Sequence, residues 1–181
     1  MSLSANIVSE FLTPFSQKPP INHLQGFTHF ASRDVFQAQL DNFYRQVKNP
    51  LLVAVFGEIG NNAFDHNLGR WRDLSGLFFA QRDHWFCFGD RGQGVHSSLA
   101  RVLPALRSDG EAVETAFTKQ VSGRSPENRG NGLKFSASVI QSQSWQLYFQ
   151  SGSGICTIEK GTMTFNESEN LVYGSVAFIG T

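Results

Sequence analysis

The chain has 181 residues, 40% of them hydrophobic and 17 of them Phe, which suits one packed domain and excludes two full-sized ones. Fifteen basic side chains balance fifteen acidic ones, so the net positive field that nucleic-acid or anionic-membrane binding usually leaves is missing, and neither partner is expected. Cys87 and Cys156 stand apart without CxxC spacing, no apolar run approaches about 18 residues, and the N-terminus lacks a basic stretch followed by an apolar core. A reduced, cytoplasmic, non-spanning protein is the expectation.

Residues 1–31 carry Pro14, Pro19 and Pro20 with weak periodicity and read as an irregular arm ending in a short strand near 24–30, ahead of a domain over 32–181. Ser32 is a helix N-cap with Asp34 in the first turn, and Phe36, Leu40, Phe43 and Val47 recur on one helical face. Asn49-Pro50 starts a second helix, because Asn can cap and Pro is tolerated at the first helical position. Its apolar face is Leu52, Val55, Phe56, Ile59 and Ala63, and Gly69 is a natural stop.

Two strand-like runs follow, 74–80 and 85–89, separated by the polar turn Gln81-Arg82-Asp83-His84; they read as a hairpin whose Phe78, Phe79, Phe86 and Phe88 alternate into a core. Residues 95–129 mix two short helices, 97–103 and 111–119, with a Gly/Ser/Pro/Asn-rich tract, which suits a partly mobile cover. A helix over 132–141 and strands over 145–150, 154–160, 162–165 and 171–179 complete the chain. The sum is an α+β protein, expected as a two-layer sandwich.

Three stretches carry chemistry. On the second helix, Glu58 and Asn62 lie one turn apart with Asp65 and His66 on the same stripe. An amide oxygen at Asn62 suits Mg²⁺, which takes hard oxygen ligands and shares them with substrate phosphates. Glu58 beside it could orient or deprotonate an attacking hydroxyl or water. Asp90-Arg91-Gly92-Gln93-Gly94 directly follows a strand; its carboxylate can accept from an exocyclic amine such as that of adenine, while Gly92 and Gly94 let backbone approach a ring. Arg129-Gly130-Asn131-Gly132-Leu133 opens a helix, where unpaired N–H groups at the positive end suit phosphate, with Arg124 and Arg129 at hand to neutralise charge.

Competing motifs fail on spacing. A Rossmann fingerprint would need glycine where Ser97 stands, the Walker phosphate loop is absent, no G-x-S-x-G occurs, and His29, His84 and His96 lack metal-ligand spacing.

Glu58-x-x-x-Asn62-Ala63 with His66 resembles the N box of the GHKL superfamily, which includes gyrase, histidine kinases and anti-sigma-factor kinases. Asp90-x-Gly92-x-Gly94 resembles its first glycine box and Gly130-x-Gly132-Leu133 its second. The resemblance implies a Bergerat fold, a mixed sheet with helices on one face, over roughly 35–180. It implies Glu58 as catalytic base, Asn62 as Mg²⁺ ligand, Asp90 as adenine reader, Gly130, Asn131 and Gly132 around the phosphates, and an ATP lid over 111–125. The nearest subfamily is the anti-sigma and histidine-kinase-like group. The expected function is therefore a Mg-ATP-binding regulator acting as ATPase or protein kinase on a protein partner, compatible with a homodimer. The alternatives are a non-catalytic module whose ATP occupancy exposes or hides a docking surface, and a relative that keeps the fold as a scaffold.

Overall fold

The computed structural model describes residues 5–67, 69–120 and 131–181. Among them the order is α1 (Ala5–Ser16), β1 (Thr28–Phe30), α2 (Arg33–Val47), α3 (Pro50–Asn67), β2 (Leu77–Arg82), β3 (Trp85–Asp90), α4 (Gly94–Leu99), α5 (Asp109–Thr118), α6 (Gly132–Ser142), β4 (Gln146–Glu159) and β5 (Thr162–Gly180). No helix among these is long and apolar enough to cross a membrane.

The strands form one sheet in the order β1-β2-β3-β5-β4. Every neighbouring pair is antiparallel, which corrects the expected mixed sheet. The reason lies in the connections: β2 and β3 meet through a two-residue turn at Asp83-His84, β4 and β5 through Lys160-Gly161, and turns this short join only antiparallel strands. The four strands expected after residue 145 are two long ones, interrupted by register shifts at Ser151, Gly152 and Gly154 rather than by turns.

Side-chain alternation gives the sheet two buried faces. Leu77, Phe86, Phe88, Ala177 and Ile179 point to one face and pack with Phe36, Leu40, Val55, Phe56, Ile59, Val113, Phe117 and Ile140 from α2, α3, α5 and α6. This layer and the sheet are the α+β sandwich expected from the sequence. Phe78, Cys87, Val176 and Phe178 point to the opposite face, where Phe11 and Phe15 of α1 cover them.

Residues 5–16 are therefore a docked helix, not an irregular arm, and helices do not sit on one face alone. Val8, Phe11, Leu12 and Phe15 recur at helical spacing, and Pro14, in the last turn, removes the one hydrogen bond its N–H would give the Glu10 carbonyl. The short strand expected next is β1.

Both early helix starts form as the sequence implies. Ser32 Oγ accepts from the Val35 N–H at 3.5 Å, and Asn49 Oδ1 accepts from the Leu52 N–H at 3.1 Å. All five residues of the expected apolar face of α3 are buried. The expected cover divides: α4 and α5 are packed into the helical layer, with Phe117 edge-on to Phe149 at 5.2 Å, while 121–130 lies outside the described residues.

Phe15, fully buried between the sheet and the 24–30 segment, tests the docking of α1. Phe15→Ala should cost about 3–5 kcal/mol of unfolding free energy, read as a lower urea midpoint with an unchanged slope.

Candidate functional site

A cavity of about 510 Å³ opens between α3, α4, α6 and strands β3 and β5. Its size falls in the range of small-molecule sites. Three distant stretches meet there: Glu58, Asn62 and His66 from α3, Asp90 and Gly94 from the β3–α4 junction, and Asn131, Gly132 and Leu133 at the start of α6. Arg124, Arg129 and Gly130 lie outside the described residues.

α3 reaches this position because its opposite stripe is apolar. Val55, Phe56, Ile59 and Ala63 sink into the core, so Glu58 and Asn62, one turn apart, face outward along the cavity wall. Glu58 is exposed. It also borders α6 so closely that a Cβ added at Gly132 would strike Glu58 Oε2. That oxygen is the free end of an exposed side chain that can turn aside, so the contact places the Glu58 carboxylate beside the start of α6 without requiring glycine there.

Asp90 ends β3 and is paired across the ladder with Ser175 of β5, which also lines the cavity. Asp90 is 8% exposed. Oδ1 accepts from Asn67 Nδ2 at 3.0 Å and from the Gly92 N–H at 2.8 Å. Among the described residues no hydrogen bond reaches Oδ2. Burial pushes the carboxyl up to about 6, against the pull of those two hydrogen bonds and of the nearby Arg72 charge.

Asn67 is the residue that motif reasoning missed. It is 2% exposed, donates to the Ala63 carbonyl at 2.7 Å as well as to Asp90, and its Oδ1 accepts from the Gln93 N–H at 2.9 Å. A Cβ at Gly92 would overlap its side-chain amide. Gly92 therefore makes room for Asn67 and does not line the cavity; the expectation that it admits a ring is corrected. The signal available in the sequence was Asn67 itself, an amide on the last turn of α3, but only the tertiary contact gives it meaning.

His66 lies on the wall with Nδ1 3.2 Å from Ser98 Oγ of α4, and Gln93 Nε2 donates to its carbonyl. Leu77, Phe88, Leu99, Phe149 and Ala177 supply apolar surface beside Asp90. The lining thus sets apolar side chains and one buried carboxylate, Asp90, in the same cavity as Glu58, Asn62 and the N-terminus of α6. Among the described residues no group of three or more His, Cys, Asp or Glu side chains could hold a metal by itself. An ion at Asn62 would have to take most of its oxygens from a bound ligand and water.

Comparison with protein-family models gives no match, and comparison with curated proteins gives none either.

The raised Asp90 carboxyl has a stability signature. The folded state binds the proton more tightly than the unfolded chain, so its contribution is full below the ordinary value of 3.8 and is lost as pH rises through about 6. Unfolding free energy measured against pH should fall by about 2–3 kcal/mol across that window relative to Asp90→Asn, whose profile lacks this component.

Proposed function

We propose that the cavity binds Mg-ATP and that the chain is an ATP-dependent regulator of the GHKL kind, transferring the γ-phosphoryl to a protein hydroxyl or to water. The observation that carries this reading is Asp90: a buried carboxylate lining the cavity beside apolar side chains, whose hydrogen bonds among the described residues both fall on Oδ1. A flat, largely apolar ring bearing one amine donor matches that environment, and adenine is such a ring.

The triphosphate then extends toward Gly132 at the N-terminus of α6, where unpaired N–H groups favour anions. The amide oxygen of Asn62 is suited to one coordination position of Mg²⁺, and the ion supplies charge neutralisation on the phosphate oxygens when bound. Glu58, exposed on the same stripe as Asn62, accepts the proton of the attacking hydroxyl; the new oxygen–phosphorus bond forms as the bond to the β-phosphate oxygen breaks and ADP leaves. His66 and Ser98 border the same wall.

Support comes from the ordered convergence of the three sequence stretches, since their agreement is more demanding than any one motif. Calorimetric titration with a non-hydrolysable ATP analogue and Mg²⁺ tests occupancy directly. Glu58→Ala should lower ADP release by about 10²–10⁴-fold while analogue affinity stays within about threefold. Unchanged turnover would remove Glu58 from the chemistry. A wild type that binds the analogue but releases no ADP with any partner would leave the nucleotide as a conformational switch only.

The Asp90 carboxyl also sets a pH dependence for binding. An amine donor needs the ionised acceptor, so analogue affinity should rise as pH passes upward through about 6 and level off above it. Asp90→Asn should bind weakly and without that rise.

A further inference from the structure

Resting on the nucleotide reading of the cavity, we infer that Arg91 is the positioning residue for Asp90, and that α1, whose last carbonyls hold Arg91, is a working part of the purine-reading end of the site.

Arg91 is 0% exposed although it carries a full charge. Its Nε and Nη2 donate to Asp73 Oδ1 and Oδ2, both at 2.7 Å. Nη2 also donates to the Gln17 carbonyl at 2.9 Å, and Nη1 to the carbonyls of Pro14 and Phe15, both at 3.3 Å. All three guanidinium nitrogens are engaged, and the Tyr173 ring centre lies 5.9 Å away. The acceptors on α1 are the carbonyls a helix end leaves without intrahelical partners. Burial pushes the Asp73 carboxyl up, but the hydrogen bonds from Arg91 and from the Ile21 and Leu74 N–H groups outweigh it and hold it below the ordinary value.

The backbone on either side of Arg91 is the Asp90 loop. Arg72 holds that loop from the same flank: its N–H donates to the Arg91 carbonyl at 2.9 Å, and its Nε and Nη2 to the Gly92 and Gln93 carbonyls at 2.9 and 3.3 Å. The Phe15 ring lies so close to Gly89 that a Cβ there would strike it. Residues 89–93 are thus clamped from the face of the sheet that α1 covers, while the Asp90 side chain emerges on the cavity face.

Helix docking alone does not explain a buried arginine. Phe11 and Phe15 already bury α1 on apolar strand residues, and a buried ion pair adds little net stability over hydrocarbon of the same size. What it provides is one geometry, and a carboxylate that must meet a ring amine needs its position fixed to about half an ångström.

The test uses the full chain and its Asp73→Asn and Arg91→Lys variants, titrated in Mg²⁺ with non-hydrolysable ATP and GTP analogues and with inorganic triphosphate. The expected result is an ATP-analogue affinity lowered about tenfold, with the GTP analogue and triphosphate changed less than about twofold, so that base discrimination collapses. A purely structural role would instead weaken all three ligands alike, or leave all three unchanged, and either result overturns the inference. A measurement on the wild type needs no variant: the ATP analogue should slow amide hydrogen exchange at 15–18 and at Ile21, on the far face, and triphosphate should not. Absence of that far-face protection in a protein that binds the analogue overturns the coupling through α1. No binding of any nucleotide by the wild type overturns the cavity reading itself, and this inference with it.

Discussion

A single buried contact organises the functional end of this molecule: the hydrogen bond from Asn67 to Asp90, where the last turn of α3 meets the end of β3. Two polar groups removed from water at that depth are costly unless hydrogen-bonded; the Asn67 amide is satisfied at both ends, and Asp90 is satisfied at Oδ1. Asn67 spends its amide on Asp90, the Ala63 carbonyl and the Gln93 N–H, which ties the helix, the strand and the loop together. Gly92 has no side chain because Asn67 occupies the place of one. Because Asn67 and Gly92 take only Oδ1, the loop is fixed while, among the described residues, the other carboxylate oxygen carries no hydrogen bond.

The same loop is held from behind by charges that never reach the cavity. Arg72 and Arg91 bind its backbone to Asp73 and to the end of α1. A sheet buried on both faces makes this arrangement available, since β3 lies between two neighbouring strands with its core residues pointing alternately to α3 and to α1. The layers around the sheet and the site on its helical face are consequences of one alternating sequence, Trp85 to Asp90.

What could be read from the chain alone was local in origin. Caps at Ser32 and Asn49, Pro50 at a helix start and the stripe from Leu52 to Ala63 depend on neighbours within one or two turns, and each forms as expected. The placement of Glu58, Asn62 and Asp90 around one cavity was legible because the three stretches keep an order and spacing that resemble a known nucleotide fold. Long-range partners were not legible. Asn67, Ser175 and the Asp73–Arg91 pair acquire their roles from contacts 18 or more residues apart in the chain, which no periodicity encodes. Helix α1 escaped notice because three prolines outweighed the spacing of Val8, Phe11, Leu12 and Phe15. The long final strands read as four pieces because a bulge breaks alternation much as a turn does.

The account stands or falls on what the Asp90 carboxylate recognises in the cavity. A crystal structure grown with a non-hydrolysable ATP analogue and Mg²⁺ addresses this most directly. The account predicts the purine between α3 and the β3–β5 pair, its amine within about 3 Å of Asp90 Oδ2, and the phosphates at the start of α6. A nucleotide seated elsewhere, or a purine whose amine turns away from Asp90, would contradict it.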